Sequence, residues 1–490
     1  MFGRNKPMFR KGMTRRFAPI VVLCAGLLPV AGCSVGPKYV RPTTQIPSAY
    51  KEMGNWKPAE PSDEARKGNW WEIFHDAQLN ALEEKLSVSN QTLRAAQDQF
   101  LEARAALRIT RSAQYPLVTV GPTITQNRES VNKALAGPTS PTNYSDFFVS
   151  GGDASYELDV WGRVRHLVES SRAQAQASAA DLETVRLSLH AELATDYFSL
   201  RGLDEQKKLF DSNVEAFEKA LELTQNRFQG GLASREDVEL AATQLEQTRA
   251  QDIDITVTRN QFEHAIAVLI GQPASTFELS LGSMPAVPPM APPGLPSELL
   301  ERRPDIASAE RQVASANAQI GVARAAYFPL ITLGATGGFE SAAFTSWLAG
   351  PSGLFSLGGS ALQTVFDAGR RRAVSDQAKA AWDQTVAQYQ QTVLTSFQEV
   401  EDSISDLRVL EEEAKTQDAA VAAANRALEQ ATNRYKGGVD TYLTVITSQS
   451  AALANERTAV TLLTERMTSA VGLVKALGGG WNVSQLPSVN

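Results

Sequence analysis

Apolar and polar positions follow two different periods along this chain. From Tyr327 to Gly369 they alternate: Ile331, Leu333, Ala335 and Phe339 fall on one face, and Leu330, Thr332, Gly334, Thr336 and Gly338 on the other. A period of two is a strand signal, and after a short loop the run Ser352–Leu362 continues it. From Val238 the period changes. Val238, Ala241, Leu245, Thr248, Asp252, Ile255, Arg259, Phe262, Ile266 and Leu269 recur at three–four intervals, which is a coiled-coil seam. Ser234 with Asp237 three residues on forms its N-terminal cap. In the second half Val445, Ala452, Ala459, Leu462, Leu473 and Ala476 hold equivalent places with smaller side chains.

Both patterns occur twice. Pro116-Leu-Val-Thr-Val-Gly returns as Pro329-Leu-Ile-Thr-Leu-Gly, an offset of 213, and Gly162-Arg163, Asn226–Gly231 and Gly271 return as Gly369-Arg370, Asn433–Gly438 and Gly478, an offset of 207. The drop assigns six extra residues to the loop around 129–144. A match held in register over such a length marks an internal duplication. The first repeat spans 78–283 and the second 297–480, joined by a proline-rich strap at 284–296 and followed by a tail at 481–490. Strands are expected at about 115–128, 145–161, 327–340 and 352–367. The second of these places Phe148, Ala154, Tyr156, Leu158 and Val160 on one face, and Pro122 marks a bulge in the first. A helix is expected from about Gln78 to Ser112. Helix–helix turns are expected near Leu200-Arg201-Gly202-Leu203 and, by the 207 offset, near Leu407–Leu410.

Four strands stranded among helices need partners. Each is long enough to cross a bilayer, but four cannot close a membrane barrel and open edges are excluded from lipid. Two chains would supply eight strands and three would supply twelve. An eight-stranded barrel fills itself with side chains, so three copies fit if something passes through.

Composition and charge narrow the choices. Of 490 residues 43% are hydrophobic and only 7% aromatic, which suits long helices in small-residue contact. Arg4, Lys6, Arg10, Lys11, Arg15 and Arg16 precede an apolar run, Phe17 to Val30, shorter than a membrane span requires. It ends in Val30-Ala31-Gly32-Cys33, which resembles a lipobox. Residues 1–32 are therefore expected to be a lipoprotein signal peptide. That resemblance implies N-palmitoyl and S-diacylglycerol groups on Cys33, and Ser34 after it fits sorting to the outer membrane. Cleavage would move the formal charge from −7 to −13 and leave one cysteine. Residues 33–77 read as extended, with Trp70 and Trp71 pinning the segment to helices. The acidic balance gives no footprint for nucleic acid, and Arg370-Arg371-Arg372 read as solvated or interfacial. His75, His166, His190 and His264 lack metal spacing, and no phosphate-binding glycine motif or nucleophile elbow occurs. No cofactor and no catalytic residue are expected.

Taken in order, several motifs carry a resemblance. They are Gly36-Pro37-x-Tyr39-x-x-Pro42 after Cys33, Trp70-Trp71-x-x-Phe74-x-Asp76, Arg303-Pro304-Asp305-Ile306 and Tyr327-Phe328-Pro329. Phe397-Gln398-Glu399-Val400-Glu401-Asp402, Arg434-Tyr435-x-x-Gly438-Val439 and Ala476-Leu477-Gly478-Gly479-Gly480-Trp481 complete them. The chain resembles the TolC-like outer membrane factors, in the lipoprotein branch of multidrug efflux outer-membrane proteins of the OprM/NodT type. The resemblance implies a mainly α fold with membrane β: a long α-helical barrel and four strands per chain contributing to a trimeric 12-stranded β-barrel. It implies a homotrimer, lipid-anchored in the outer membrane and extending into the periplasm. Its implied partners are outer-membrane lipid, a periplasmic adaptor and an inner-membrane pump of the proton-driven kind. The implied function is passive exit of small molecules such as drugs and toxic compounds. Family members close the periplasmic end with charged rings, for which Asp402, Asp406 and Arg408 are the candidates here. A threefold ring of Asp402 and Asp406 would favour cations. A type I protein-secretion duct and a non-conducting coiled-coil tether are the alternatives.

Overall fold

The computed structural model describes residues 34–53, 69–128, 130, 143–289 and 296–486. The signal segment with Cys33, most of the 129–144 loop and residues 290–295 of the strap lie outside the described residues. The helices are α1 (Ala77–Ser89), α2 (Gln91–Ser112), α3 (Arg163–Gln229), α4 (Arg235–Leu269), α5 (Leu299–Arg302), α6 (Pro304–Ala325), α7 (Arg370–Lys436) and α8 (Tyr442–Ala476). The strands are β1 (Leu117–Arg128), β2 (Asn143–Glu157), β3 (Leu330–Ser341) and β4 (Gly353–Leu362). The duplication is carried through: α3 and α7 are each 67 residues long, and α4 and α8 are each 35. The fold is mainly helical, and none of its described helices is long and apolar enough to cross a membrane.

The chain forms two compact units. One comprises Met1–Val40 (described from residue 34), Ala106–Ser171 and Ser315–Trp382; the other comprises Arg41–Ala105, Arg172–Ala314 and Asp383–Asn490. The first holds one antiparallel sheet in the order β1-β2-β3-β4. Its irregularity lies in β2, where Gly151 is the extra residue between Ser150 and Gly152. Pro122 is instead paired in register with Val149, tolerated because β1 is an edge strand where a missing donor need not break a ladder. A Cβ at Gly151 would lie 3.3 Å from the Gly337 carbonyl oxygen, so the bulge favours glycine.

In the second unit a core gathers Trp70, Trp71 and Phe74 with Leu79, Leu86, Leu193, Tyr197, Phe198, Ile266 and Val471. The tryptophans thus pin the N-terminal segment, Trp71 stacking on His190 at 4.4 Å between ring centres. The ten seam positions from Val238 to Leu269 are all buried or half-buried, and the expected Ser234–Asp237 capping box opens α4.

The expected turns at Leu200–Leu203 and Leu407–Leu410 do not exist: α3 and α7 run through them unbroken. The helices reverse at the glycine pairs instead. Gly231 and Gly438 both have φ of +72°, and Leu232 N–H donates to Arg227 C=O as Val439 N–H does to Arg434 C=O. These are Schellman stops. Gly202 serves contact rather than turning, since a Cβ there would lie 2.1 Å from Thr464 Oγ1 on α8. The expected helix over 78–112 is broken at Asn90, whose buried amide donates to Leu269 C=O while its Oδ1 caps α2 at Leu93 N–H.

Candidate channel elements and their polar anchors

Directly paired residues of an antiparallel sheet share a face, so the register sorts the four strands into two surfaces. Val118, Ala154, Ala335 and Leu357 form one rung; Thr119, Asp153, Thr336 and Ser356 form the next, on the opposite face. On the polar face Thr336 Oγ1 donates to Asp153 Oδ1 at 3.1 Å, and the Thr332 and Ser360 hydroxyls meet at 2.7 Å. Leu357 and Phe355 are 76% and 83% exposed on the apolar face. The bulge at Gly151 reverses the alternation beyond it. Val149 pairs Pro122 and Phe339 on the apolar face, whereas Phe148, expected beside Ala154, pairs Thr123 and Glu340 on the polar one. β1 and β4 each keep one edge unpaired among the described residues. Exposed apolar surface joined to open edges is an association surface.

At the base of this sheet Trp161 stacks on Phe328 at 4.7 Å, and its Nε1–H donates to Pro329 C=O. Arg163 makes a two-pronged pair with Glu157, and Arg165 pairs Asp159 at 3.2 Å. The residues just after Cys33 are clamped here. Val35 N–H donates to Trp161 C=O, Ser34 Oγ lies 2.9 Å from His166 Nε2, and His166 sits between Gly36 and Gly321. A Cβ at either glycine would come within 2.8 or 2.5 Å of the imidazole. Cys33 itself lies outside the described residues.

The gate candidates all lie within α7, away from its glycine stop. Asp402 and Asp406, one turn apart, are exposed, and Asp402 accepts a hydrogen bond from Gln398 at 3.3 Å. The buried stripe of this helix is Val393, Phe397, Val400 and Ile404, so both aspartates point away from it. Arg408 is not with them: its guanidinium pairs Glu52 at 2.8 Å. Beside it Glu401 accepts the backbone N–H groups of Lys51 and Glu52.

Buried charge is concentrated elsewhere in the second unit. Arg201, 1% exposed, donates to Asp204 Oδ2 at 2.5 Å, to Ser280 C=O at 2.9 Å and to Gln78 Oε1 at 2.5 Å, and its guanidinium lies over the Tyr197 ring. Asp204 also accepts from Arg259 Nε at 2.8 Å and Gly282 N–H at 3.0 Å; Arg259 in turn holds Leu279 C=O and Glu263. The network binds segment 279–282 to α3 and α4. A second node joins three of the sequence motifs: Arg303 donates to Asp305, to Glu399 at 2.6 Å and to Ala476 C=O at 3.1 Å. In a third, His190 Nδ1 lies 2.5 Å from Glu83 Oε2. Burial pushes the Glu83 carboxyl well above the usual carboxylate range, and burial with nearby Arg186 lowers His190 to about 4. Both shifts act against charge on the pair, as burial does. Nothing in the sequence announced these contacts: Arg201 meets Gln78 and Ser280, Asp204 meets Arg259 and Glu83 meets His190, all remote along the chain.

The sequence profile of the family described as outer membrane efflux protein matches residues 81–272 and 295–479. The toluene efflux pump outer membrane protein TtgC of Pseudomonas putida is 31% identical over 458 residues, covering 92% of this chain and 93% of that protein. Outer membrane protein OprJ of Pseudomonas aeruginosa is 32% identical over 457 residues, covering 93% and 94%. The solved outer-membrane channel OprN superposes with a TM-score of 0.85 at 31% identity, covering 92% of this chain and 100% of that one.

Proposed function

From the premise that the chain belongs to the outer membrane efflux protein family, we propose that it is the outer-membrane exit duct of a tripartite efflux system. The observation that carries this reading is the sheet: one apolar face, one polar face and two unpaired edges on four strands. Three copies joined edge to edge give a closed twelve-stranded barrel with its apolar face to lipid and Thr119, Asp153, Thr336 and Ser356 to a wet lumen. The helical repeats continue the duct into the periplasm, where an adaptor and an inner-membrane pump, of the proton-driven kind, deliver small toxic molecules. The protein itself is a passive conduit.

Two finer elements belong to the same proposal. Cys33 carries the lipid anchor, and the clamp on Ser34, Val35 and Gly36 fits an anchor held beside the base of the sheet. Asp402 and Asp406 line the duct as a threefold carboxylate belt along α7; Arg408 braces the N-terminal segment instead. Chain closure is testable by cysteine pairs between edges, because the mature chain offers no other unmodified thiol. Thr123→Cys on β1 combined with single cysteines along β4 should yield covalently linked trimers under oxidation. Only intrachain bonds, or monomers for every pairing, would defeat it.

A further inference from the structure

The duplication is broken at one place where a charge balance is at stake. In the first repeat Arg163 and Arg165, at the start of α3, are neutralised by Glu157 and Asp159. The offset of 207 carries these four residues to Arg370, Arg372, Thr364 and Phe366. The arginines are kept and both carboxylates are gone. Asp367 does not replace them, since it is occupied by Arg371 at 2.6 Å and by the Gly369 and Arg371 N–H groups. Arg371 also lies over the Tyr327 ring at 5.7 Å. Arg370 and Arg372 are exposed, and their side chains make no hydrogen bond or ion pair among the described residues. They open α7 at the end of the helix dipole that disfavours cations, so the fold gains nothing visible from them. Ahead of them, separated by Asp367-Ala368-Gly369 and past the last paired residue of β4, Val365 is 89% exposed and Phe366 86% exposed. An exposed apolar pair close in sequence to two uncompensated guanidinium groups, with the Tyr327 ring beneath neighbouring Arg371, is the combination of chemistries met at a bilayer's edge.

We propose that Arg370 and Arg372, with Val365 and Phe366, form an interfacial site for the phosphate of an anionic phospholipid headgroup. The guanidinium groups take the phosphate oxygens, and Val365 and Phe366 enter the acyl boundary. The equivalent place in the first repeat is self-neutralised and does not bind, so each chain holds one such lipid. This rests on the reading of the sheet as membrane-spanning.

The test is native mass spectrometry of the full-length, detergent-purified protein titrated with phosphatidylglycerol or phosphatidylcholine. The wild type should retain phosphatidylglycerol at roughly tenfold lower lipid concentration, a preference weakened by salt. Arg370→Gln with Arg372→Gln should abolish the preference. Thr364→Glu with Phe366→Asp, which restores the first-repeat carboxylates and keeps both arginines, should abolish it too. Arg163→Gln with Arg165→Gln should leave it intact. Wild-type preference in either second-repeat variant overturns the proposal, as does full displacement of the lipid by inorganic phosphate. Loss of the trimer in both variants also overturns it, by assigning the arginines to a contact between copies. Planar-bilayer conductance of the same samples separates the two levels. A wild type that does not conduct fails the channel reading, whereas a conducting wild type without lipid preference fails only the lipid site.

Discussion

Asp204→Asn removes one charge from the middle of a buried ionic network in the second unit. Asp204 is fully buried and holds three donors, Arg201, Arg259 Nε and the Gly282 N–H. Arg201 is as deeply placed, and its Nε already lacks a partner among the described residues. After the substitution its remaining contacts are the Ser280 carbonyl, the Gln78 amide oxygen and the Tyr197 ring. Breaking a buried pair by removing one partner costs about 3–5 kcal/mol, because the other charge stays buried. A cost of about 3 kcal/mol corresponds to roughly a hundredfold larger population of the opened state. The opening should be local, because the network ties segment 279–282 to α3 and α4. Limited chymotrypsin digestion in detergent reads it directly, with cuts expected after Phe277, Leu279 or Leu281, at rates that follow the open population. The control is Asp211→Asn, which removes an exposed partner of Lys207 and should change stability by under about 1 kcal/mol. Cleavage of Asp204→Asn at the wild-type rate, with an unchanged melting temperature, would refute the assignment of the network as the anchor of segment 279–282.

Three further outcomes are expected. Gly202→Ala should destabilise the α3–α8 crossing by about 1–3 kcal/mol, and adding Thr464→Ala should restore most of the loss because it removes the atoms 2.1 and 2.9 Å from the new Cβ. Thermal melts of both variants decide this, and equal loss in the single and double variants would contradict it. The Glu83–His190 pair predicts opposite pH slopes. His190 has its folded pKa lowered from 6.5 to about 4, so its contribution is present above 6.5 and lost as pH falls towards 4; Glu83 is raised above 4.5, so its contribution is present below 4.5 and lost as pH rises. Melting temperature should therefore fall between pH 6.5 and 4.5 in Glu83→Gln and rise over the same interval in His190→Gln; parallel slopes would be fatal. Finally, Asp402→Ala with Asp406→Ala should lower cation preference in single-channel recordings, and identical reversal potentials would remove both residues from the duct lining.

Local chemistry was the legible part of this fold. Alternation located all four strands, the three–four seam from Val238 to Leu269 predicted which face of α4 is covered, and Ser234 with Asp237 predicted its cap. What failed were glycines and prolines judged without their surroundings. Gly202 looks like a helix breaker, but its missing side chain admits Thr464 from α8. Pro122 looks like a bulge, yet sits harmlessly on an edge strand, while Gly151 in an unremarked Ser-Gly-Gly run carries the irregularity and flips Phe148 to the polar face. The Arg201–Asp204–Arg259 network was illegible for a different reason. Arg259 lies 55 residues from Asp204, and Gln78, which also holds Arg201, lies 123 from it; no local pattern signals a contact that only packing creates. Of the gate candidates, Asp402 and Asp406 share an exposed face, whereas Arg408 is bound to Glu52 in the N-terminal segment, which no local pattern places beside α7.

The most direct test of the account is electrical. Full-length protein purified from outer membranes and added to a planar lipid bilayer should insert as a trimer that resists SDS, and should give discrete, ohmic single-channel steps without any energy source. A monomer that leaves the bilayer silent would contradict it, and would turn the helical repeats into a tether rather than a duct.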